Sequence, residues 1–452
     1  MASAAEQLAS SINLGAFGKA TELKKRLWFT LAALVVYRLG TYIPLPGIDP
    51  TVLAEIFKRN AGGILGMFDM LAGGALGRMT IFALNIMPYI SASIIIQLMS
   101  AVNPKLEALK KEGESGRKVL NQYTRILTVI LAAAQAYGIS VGLENMEGGG
   151  AGRVVLDPGL FFRLTTLVSL VGGSMFVMWL GEQITARGIG NGISLIIFAG
   201  IVANLPTALI STLELGRTGN ISLFFILVLT VLVIATVAFI VFFERAQRRI
   251  VIQYPKRQMG NKMMGGESSH LPLKLNTSGV IPPIFASSLL LLPATIVGFG
   301  NTGVNSSLPL WLRSISDSLA HGQPLYLVSY VLLIVFFAFF YTAIVFNPKE
   351  TAENLKKNGG FVAGIRPGHH TAEHLDYILT RLTVLGAGYL AIICVLPEIL
   401  ISEFAVPFFF GGTSLLIVVS VTMDTVAQIQ SHLIAHQYEG LIRKSQLKGR
   451  RG

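Results

Sequence analysis

The sequence predicts an all-α polytopic membrane protein with ten transmembrane helices, arranged as two inverted five-helix halves. Three observations carry that prediction. The 452 residues are 52% hydrophobic and only 13% charged, with a mean hydropathy of +0.62, far from the composition of a water-soluble domain. Ten apolar stretches recur along the chain, each close to the ~20 residues that a bilayer crossing needs. With both ends placed in the cytosol, the cytosolic segments hold 26 of the 36 lysines and arginines and the opposite segments 7. That asymmetry is what orients helices in a membrane.

The first span, Trp28 to Leu45, follows Lys24, Lys25 and Arg26. It is of crossing length and lacks a small-residue cleavage site, so it reads as a retained span. The second, Gly77 to Met99, is a full crossing by itself, which leaves ILGMFDMLAGGA, from Ile64 to Ala75, unassigned. About a dozen residues cannot cross, so this piece, with Gly73 and Gly74 near its end, reads as a re-entrant half-segment. Irregular backbone survives at membrane depth only where protein or a water-filled cavity surrounds it.

Spans three to five are Val119 to Val141, Phe161 to Gln183 and Ile189 to Ile210. Gly188, Gly190 and Gly192 read as the bend that opens the fifth, because no GK[ST] follows to make a phosphate cradle. The remaining spans are Ile221 to Phe243, Gly279 to Val297, Tyr326 to Phe346, Tyr377 to Leu396 and Val406 to Val426. A break near Gly216 to Asn220 divides the chain into residues 1–215 and 216–452, five spans each. An odd number of spans per half makes the second run opposite to the first, as in inverted repeats with a site between them. This division rests on counting, since the halves share no visible sequence similarity.

Two cytosolic loops, Glu244 to Leu275 and Asn347 to Asp376, are too long and too basic for simple connectors. The first carries Arg245, Arg248, Arg249, Lys256, Arg257 and Lys262, the second Lys349, Lys356, Lys357 and Arg366, and a basic tail follows at Arg443. Each charge alone is explained by topology. Basic prongs would also attract anionic lipid, an acidic protein or nucleic acid.

The spans hold few ionisable groups, Arg38 and Asp424 being the main ones, which disfavours an ion-coupled carrier with charges along its path. No phosphate-binding loop, HExxH or nucleophile elbow occurs, so no catalytic centre and no cofactor are expected. The single cysteine, Cys394, excludes an internal disulfide and a cysteine metal site. What recurs instead is isoleucine at one-turn spacing: Ile86 and Ile90 around Pro88, Ile193 and Ile197 after the glycine bend. Residues four apart share a helix face. Such pairs serve either as packing or as a hydrophobic constriction that gates by excluding water.

Several long motifs occur in order from the second span to the tenth: GGALGRMTIFALNIMPYISASIIIQLM (73–99), KKEGESGRK (110–118) and LGEQITARGIGNGISLIIFAGI (180–201), then SHLPLKLN with GVIPPIFASS (269–288), GIRPG (364–368) and FFFGGTSLLIVVSVTMD (408–424). In these the chain resembles the SecY family, the channel subunits of the bacterial protein translocase. The resemblance implies an hourglass pore and a lateral gate between spans two and three and spans seven and eight. It implies a plug at 64–75, comprising Ile64, Leu65, Met67, Phe68, Met70, Leu71, Gly73 and Gly74, and a pore ring of Ile86, Ile90, Ile193, Ile197, Ile284 and Ile417. Gln135 and the run Asn276, Thr277 and Ser278 either hydrogen-bond across that gate or satisfy local backbone and water.

The same resemblance implies passage of unfolded secretory polypeptides and lateral release of membrane proteins at the bacterial inner membrane. The implied partners are SecE, SecG, the motor ATPase SecA, the ribosome with an RNA contact through the basic loops, the signal sequence of the translocating polypeptide, and membrane lipid. Arg366 in GIRPG is the residue expected to matter most for motor coupling. One departure stands at the tip of the first prong: Asn261 and Lys262, then Met263 and Met264, replace the adjacent basic pair common in the family. Two other readings remain, a secondary solute transporter with a re-entrant segment and a membrane insertase or scaffold without a pore.

Overall fold

The computed structural model describes residues 21–59, 69, 72–145, 153–218, 222–254, 257–259, 262–264, 268–300, 323–404 and 412–449. Helices α1 (Thr21–Gly40), α2 (Pro50–Arg59), α3 (Met87–Val102), α4 (Pro104–Lys111), α5 (Glu114–Asn145), α6 (Leu160–Arg187), α7 (Gly192–Arg217) and α8 (Leu223–Arg245) precede the first prong. Helices α9 (Ile281–Gly300), α10 (Pro324–Val345), α11 (Pro348–Lys357), α12 (His369–Phe404) and α13 (Gly412–Gly449) follow it. Among the described residues seven helices, α5 to α8, α10, α12 and α13, are long and apolar enough to cross a membrane. Shorter apolar helices, α3 and the first half of α9, and the 20-residue α1 occupy the other three expected stretches.

The helix starts follow local chemistry. The Asn191 side chain accepts from Ile193 N (3.1 Å) to open α7, and Asn103 and Asn347 do the same for α4 and α11, each with proline in the first turn.

The second span departs from the expected continuous helix over 77–99. Residues 72–86 form a chain of turns, with Gly73, Gly74, Met79 and Asn85 at positive φ, and α3 starts only at Met87 with a proline in its first turn. This segment is covered by the chain that follows α1. Leu45 N donates to Met79 O (2.9 Å), Ile81 N donates to Ile43 O (3.1 Å), and Thr80 bridges Pro44. Protein thus satisfies these amides and carbonyls, the condition for irregular backbone at this depth. Gly173 of α6 closes the packing, since a Cβ there would collide with the carbonyl oxygen of Ile81.

Where the sequence shows only long basic loops, the structure builds a small sheet. Strands β1 (Gln247–Gln253) and β4 (Ser268–Lys274) pair antiparallel from Gln247↔Lys274 to Gln253↔Ser268, and β5 (Phe361–Val362) of the second loop adds to the other edge of β1. Strands β2 (Arg257–Met259) and β3 (Lys262–Met264) form an outer hairpin. Ile250, Leu273 and Val362 turn from the sheet onto Leu375, Ile378, Leu379 and Leu382 on the first half of α12. Both prongs therefore stand on one base.

The largest apolar cluster joins α1, α3 and α6 to α10, α12 and α13. Helix α9 packs against α3 and α5, and α13 packs against α7 and α1, so the junction between the expected halves is closed along both sides.

Candidate functional site: a closed apolar constriction

Five of the six expected ring isoleucines converge on one cavity. Ile86 and Ile90 come from the second span, Ile197 from α7, Ile284 from α9 and Ile417 from α13. The space they leave is ≈ 20 Å³, room for about one water. Ile86, Ile90, Ile197 and Ile417 are 2%, 7%, 7% and 2% exposed. Full burial of a branched aliphatic side chain is worth about 1.5–3 kcal/mol relative to leaving it in water. The sixth, Ile193, lies outside this cavity. It is half-buried one turn along α7, at the place where a Cβ added to Gly181 of α6 would touch it at 3.3 Å.

Polar side chains share the lining. Asn85, Ser287, Ser288 and Thr413 stand beside the isoleucines with Met87, and no ionisable residue is among these described neighbours. Sequence reasoning passed over these residues. Ser287 and Ser288 lie three and four positions after Ile284, and Thr413 four before Ile417, so helical periodicity from the ring was the available signal.

Of the expected plug residues, Ile64, Leu65, Met67, Phe68, Met70 and Leu71 lie outside the described residues. Gly73 and Gly74 are described, at φ +68° and +81°. Arg38, whose role the sequence left open, grips this point: its Nη1 donates to Gly73 O (2.8 Å) and its Nη2 to Tyr42 OH (2.9 Å). The Arg78 guanidinium lies 4.3 Å from the same tyrosine ring, within cation–π range.

Of the two arrangements open to the 276–278 run, the structure shows the local one, with one bond to the end of α8. Asn276 Nδ2 donates to Glu244 Oε1 on α8 (2.7 Å), Ser278 Oγ donates to Asn276 Oδ1 (3.0 Å), and Thr277 Oγ1 donates to Lys274 O (3.1 Å). Gln135, half-buried on α5, has no hydrogen bond to this run. The run sits in the turn before α9, where its nearest partner is the end of α8, and this proximity decides the pairing.

On the two prongs Arg245, Arg248, Arg249, Lys349, Lys356, Lys357 and Arg366 are all at least partly exposed. Arg366 is presented by a turn between Gly364 (φ +84°) and Gly368 (φ +104°), and its carbonyl accepts from Thr371 Oγ1 (2.9 Å). Arg257 and Lys262 lie on the outer hairpin, while Lys256 falls outside the described residues.

Comparison with known proteins adds a family to this geometry. The SecY family model matches residues 80–426. A curated relative from Rickettsia typhi, "Protein translocase subunit SecY", is 55% identical over 427 residues, which cover 94% of this chain and 97% of the relative. Two solved structures share the fold. "The structure of a protein conducting channel" aligns with a TM-score of 0.66 at 18% identity, covering 91% of this chain and 92% of that one. "Sec61 in the Canine ribosome-channel complex from the endoplasmic reticulum" aligns with a TM-score of 0.63 at 17% identity, covering 91% and 92%.

Proposed function

The chain belongs to the SecY family, and we propose how its parts divide the work of a protein-conducting channel. The observation that carries this reading is the closure of five isoleucines from four separate segments on ≈ 20 Å³. Branched aliphatic side chains can pack around a moving polypeptide of any sequence while offering an ion no substitute for its hydration. Ile86, Ile90, Ile197, Ile284 and Ile417 are the seal. The segment 64–75 is the plug, held at its base by the bond from Arg38 to Gly73 O. The solute-transporter reading has no support, since the described lining of the cavity holds no coupling charge.

The two halves, 1–215 and 216–452, part along the face where α9 meets α3 and α5. Apolar segments of the passenger leave there, because their transfer from the pore to lipid is favourable. The exposed arginines and lysines of the prongs, Arg366 foremost, dock a cytosolic driver, either the motor ATPase SecA or the ribosome; a ribosome-bound relative shares the fold. SecE and SecG complete the assembly, in a bacterial inner membrane with both termini cytoplasmic. The chain is a multi-pass membrane protein on its helices alone.

The test is single-channel recording in planar bilayers. Ile86→Asn with Ile417→Gly, and separately deletion of residues 62–71, are expected to give large, long-lived conductance where the unmodified channel is silent. Silence in variants that still insert and fold would remove the seal from this cavity.

A further inference from the structure

Asn276 occupies the short turn that joins the first prong to α9. It is 3% exposed, and its side-chain amide is divided between two partners: Nδ2 donates to Glu244 Oε1 at the end of α8 (2.7 Å) and to the carbonyl of Gly279 (3.0 Å). Its Oδ1 accepts from Ser278 Oγ (3.0 Å). The preceding residue closes the base of the prong, Leu275 N donating to Ala246 O (2.9 Å). Helix α12 presses on the same turn, since a Cβ on Gly386 would lie 3.0 Å from Leu275 O and 3.6 Å from Asn276 Cα.

The end of α8, the sheet and α12 thus form one body around residues 275 and 276. Immediately beyond, Gly279 has φ +63°, and a Cβ there would meet nothing within 4 Å. A glycine in the left-handed region with open space around it is a place where the backbone can turn cheaply. The next helix is α9, which packs on α3 and α5.

We propose that Asn276 and Glu244 are a clasp that locks the pivot of the gate helix α9 to the prong-bearing body. With the amide holding both Glu244 and the Gly279 carbonyl, α9 cannot rotate about Gly279 without breaking a buried hydrogen bond. With the clasp open, α9 swings away from α3 and α5 while the sheet stays on α12. A driver that pushes on the prong strains β1 and β4 at the point where Ala246 and Leu275 meet, next to the clasp. These are positioning residues, acting through α9. The inference rests on the channel reading above.

The experiment uses the complete translocase in lipid vesicles and compares two precursors, one with an intact signal and one whose signal is weakened in hydrophobicity. The readout is the ratio of their transport rates, which a merely unfolded variant cannot raise. Asn276→Ala, and more strongly Asn276→Asp, which sets a second carboxylate against Glu244, are expected to raise the weakened-to-intact ratio by about 3- to 15-fold, the factor that one hydrogen bond within a membrane protein controls. Glu244→Gln, which keeps an oxygen acceptor for Asn276, is expected to stay within about 2-fold of the unmodified ratio. If Asn276→Ala fails to assemble, Glu244→Ala takes its place with the same expectation. Efficient transport with an unchanged ratio in these variants overturns the clasp. Failure of the unmodified assembly to transport either precursor overturns the channel reading itself.

Discussion

Gly173 shows how single residues set the packing here. Alanine is worth about 1 kcal/mol more than glycine inside a helix, yet a Cβ at 173 would collide with the backbone oxygen of Ile81. A backbone atom cannot rotate aside, so overpacking wins. Gly173→Ala is expected to destabilise the protein by about 1–3 kcal/mol, measured as a lowered Tm in detergent; an unchanged Tm would mean that α6 does not hold the irregular segment in place. Arg38→Leu removes the donor to Gly73 O while keeping an apolar stem. Its expected outcome is a leakier resting channel, with stability lowered by about 1.5–3 kcal/mol or more, since the charged donor to both Gly73 O and Tyr42 OH is lost. Of the six isoleucines that spacing and the resemblance single out, five line one cavity and Ile193 does not, whereas the grip of Arg38 had no signal in the sequence. Its partner is 35 residues away in sequence, and no local pattern reports such a pairing.

Among the elements, the ten apolar stretches were legible because burial in lipid demands length and composition, which a sequence displays directly. The break in the second span was not. The stretch from Gly77 to Ile86 looks as apolar as a helix, and only the strand-like cover from residues 43–45 lets its backbone leave the helical path. The prongs were read as basic loops; their sheet depends on the pairing of β1 with β5, as in Ile252↔Val362, across a sequence gap that no local pattern spans. Because β1, β4 and β5 are paired to one another and packed on α12, shortening the outer hairpin at 257–264 is expected to leave Tm and membrane insertion unchanged. Driver-dependent transport should fall by about tenfold, the equivalent of roughly 1.4 kcal/mol of docking energy. Loss of folding in that variant would show that the tip, and not the base, carries the sheet.

For the molecule as a whole, the resting state follows from how the helices meet. Helix α9 lies against α3 and α5, and the cavity among the isoleucines has room for about one water; on the channel reading proposed above, this is a closed state. Met87 of α3 and Ser287 of α9 line that same cavity, which makes a cysteine pair there a lock on the gate. Met87→Cys with Ser287→Cys is expected to stop transport on oxidation and regain it on reduction. The native Cys394, 1% exposed, stays out of this exchange. Transport that persists with the bond formed would mean that passengers cross without parting α9 from α3.

Membrane class, the number of apolar stretches and the family were all readable along the chain, because lipid acts on each segment independently and leaves its mark locally. Folding was needed to decide which isoleucines meet, that Asn276 bonds to Glu244 and not to Gln135, and that the two prongs share one sheet. Those outcomes depend on segments that approach only once the helices have packed. In a membrane the choice among partners is set by close packing and by the need to satisfy every buried amide and carbonyl, and neither requirement is visible along one stretch of chain.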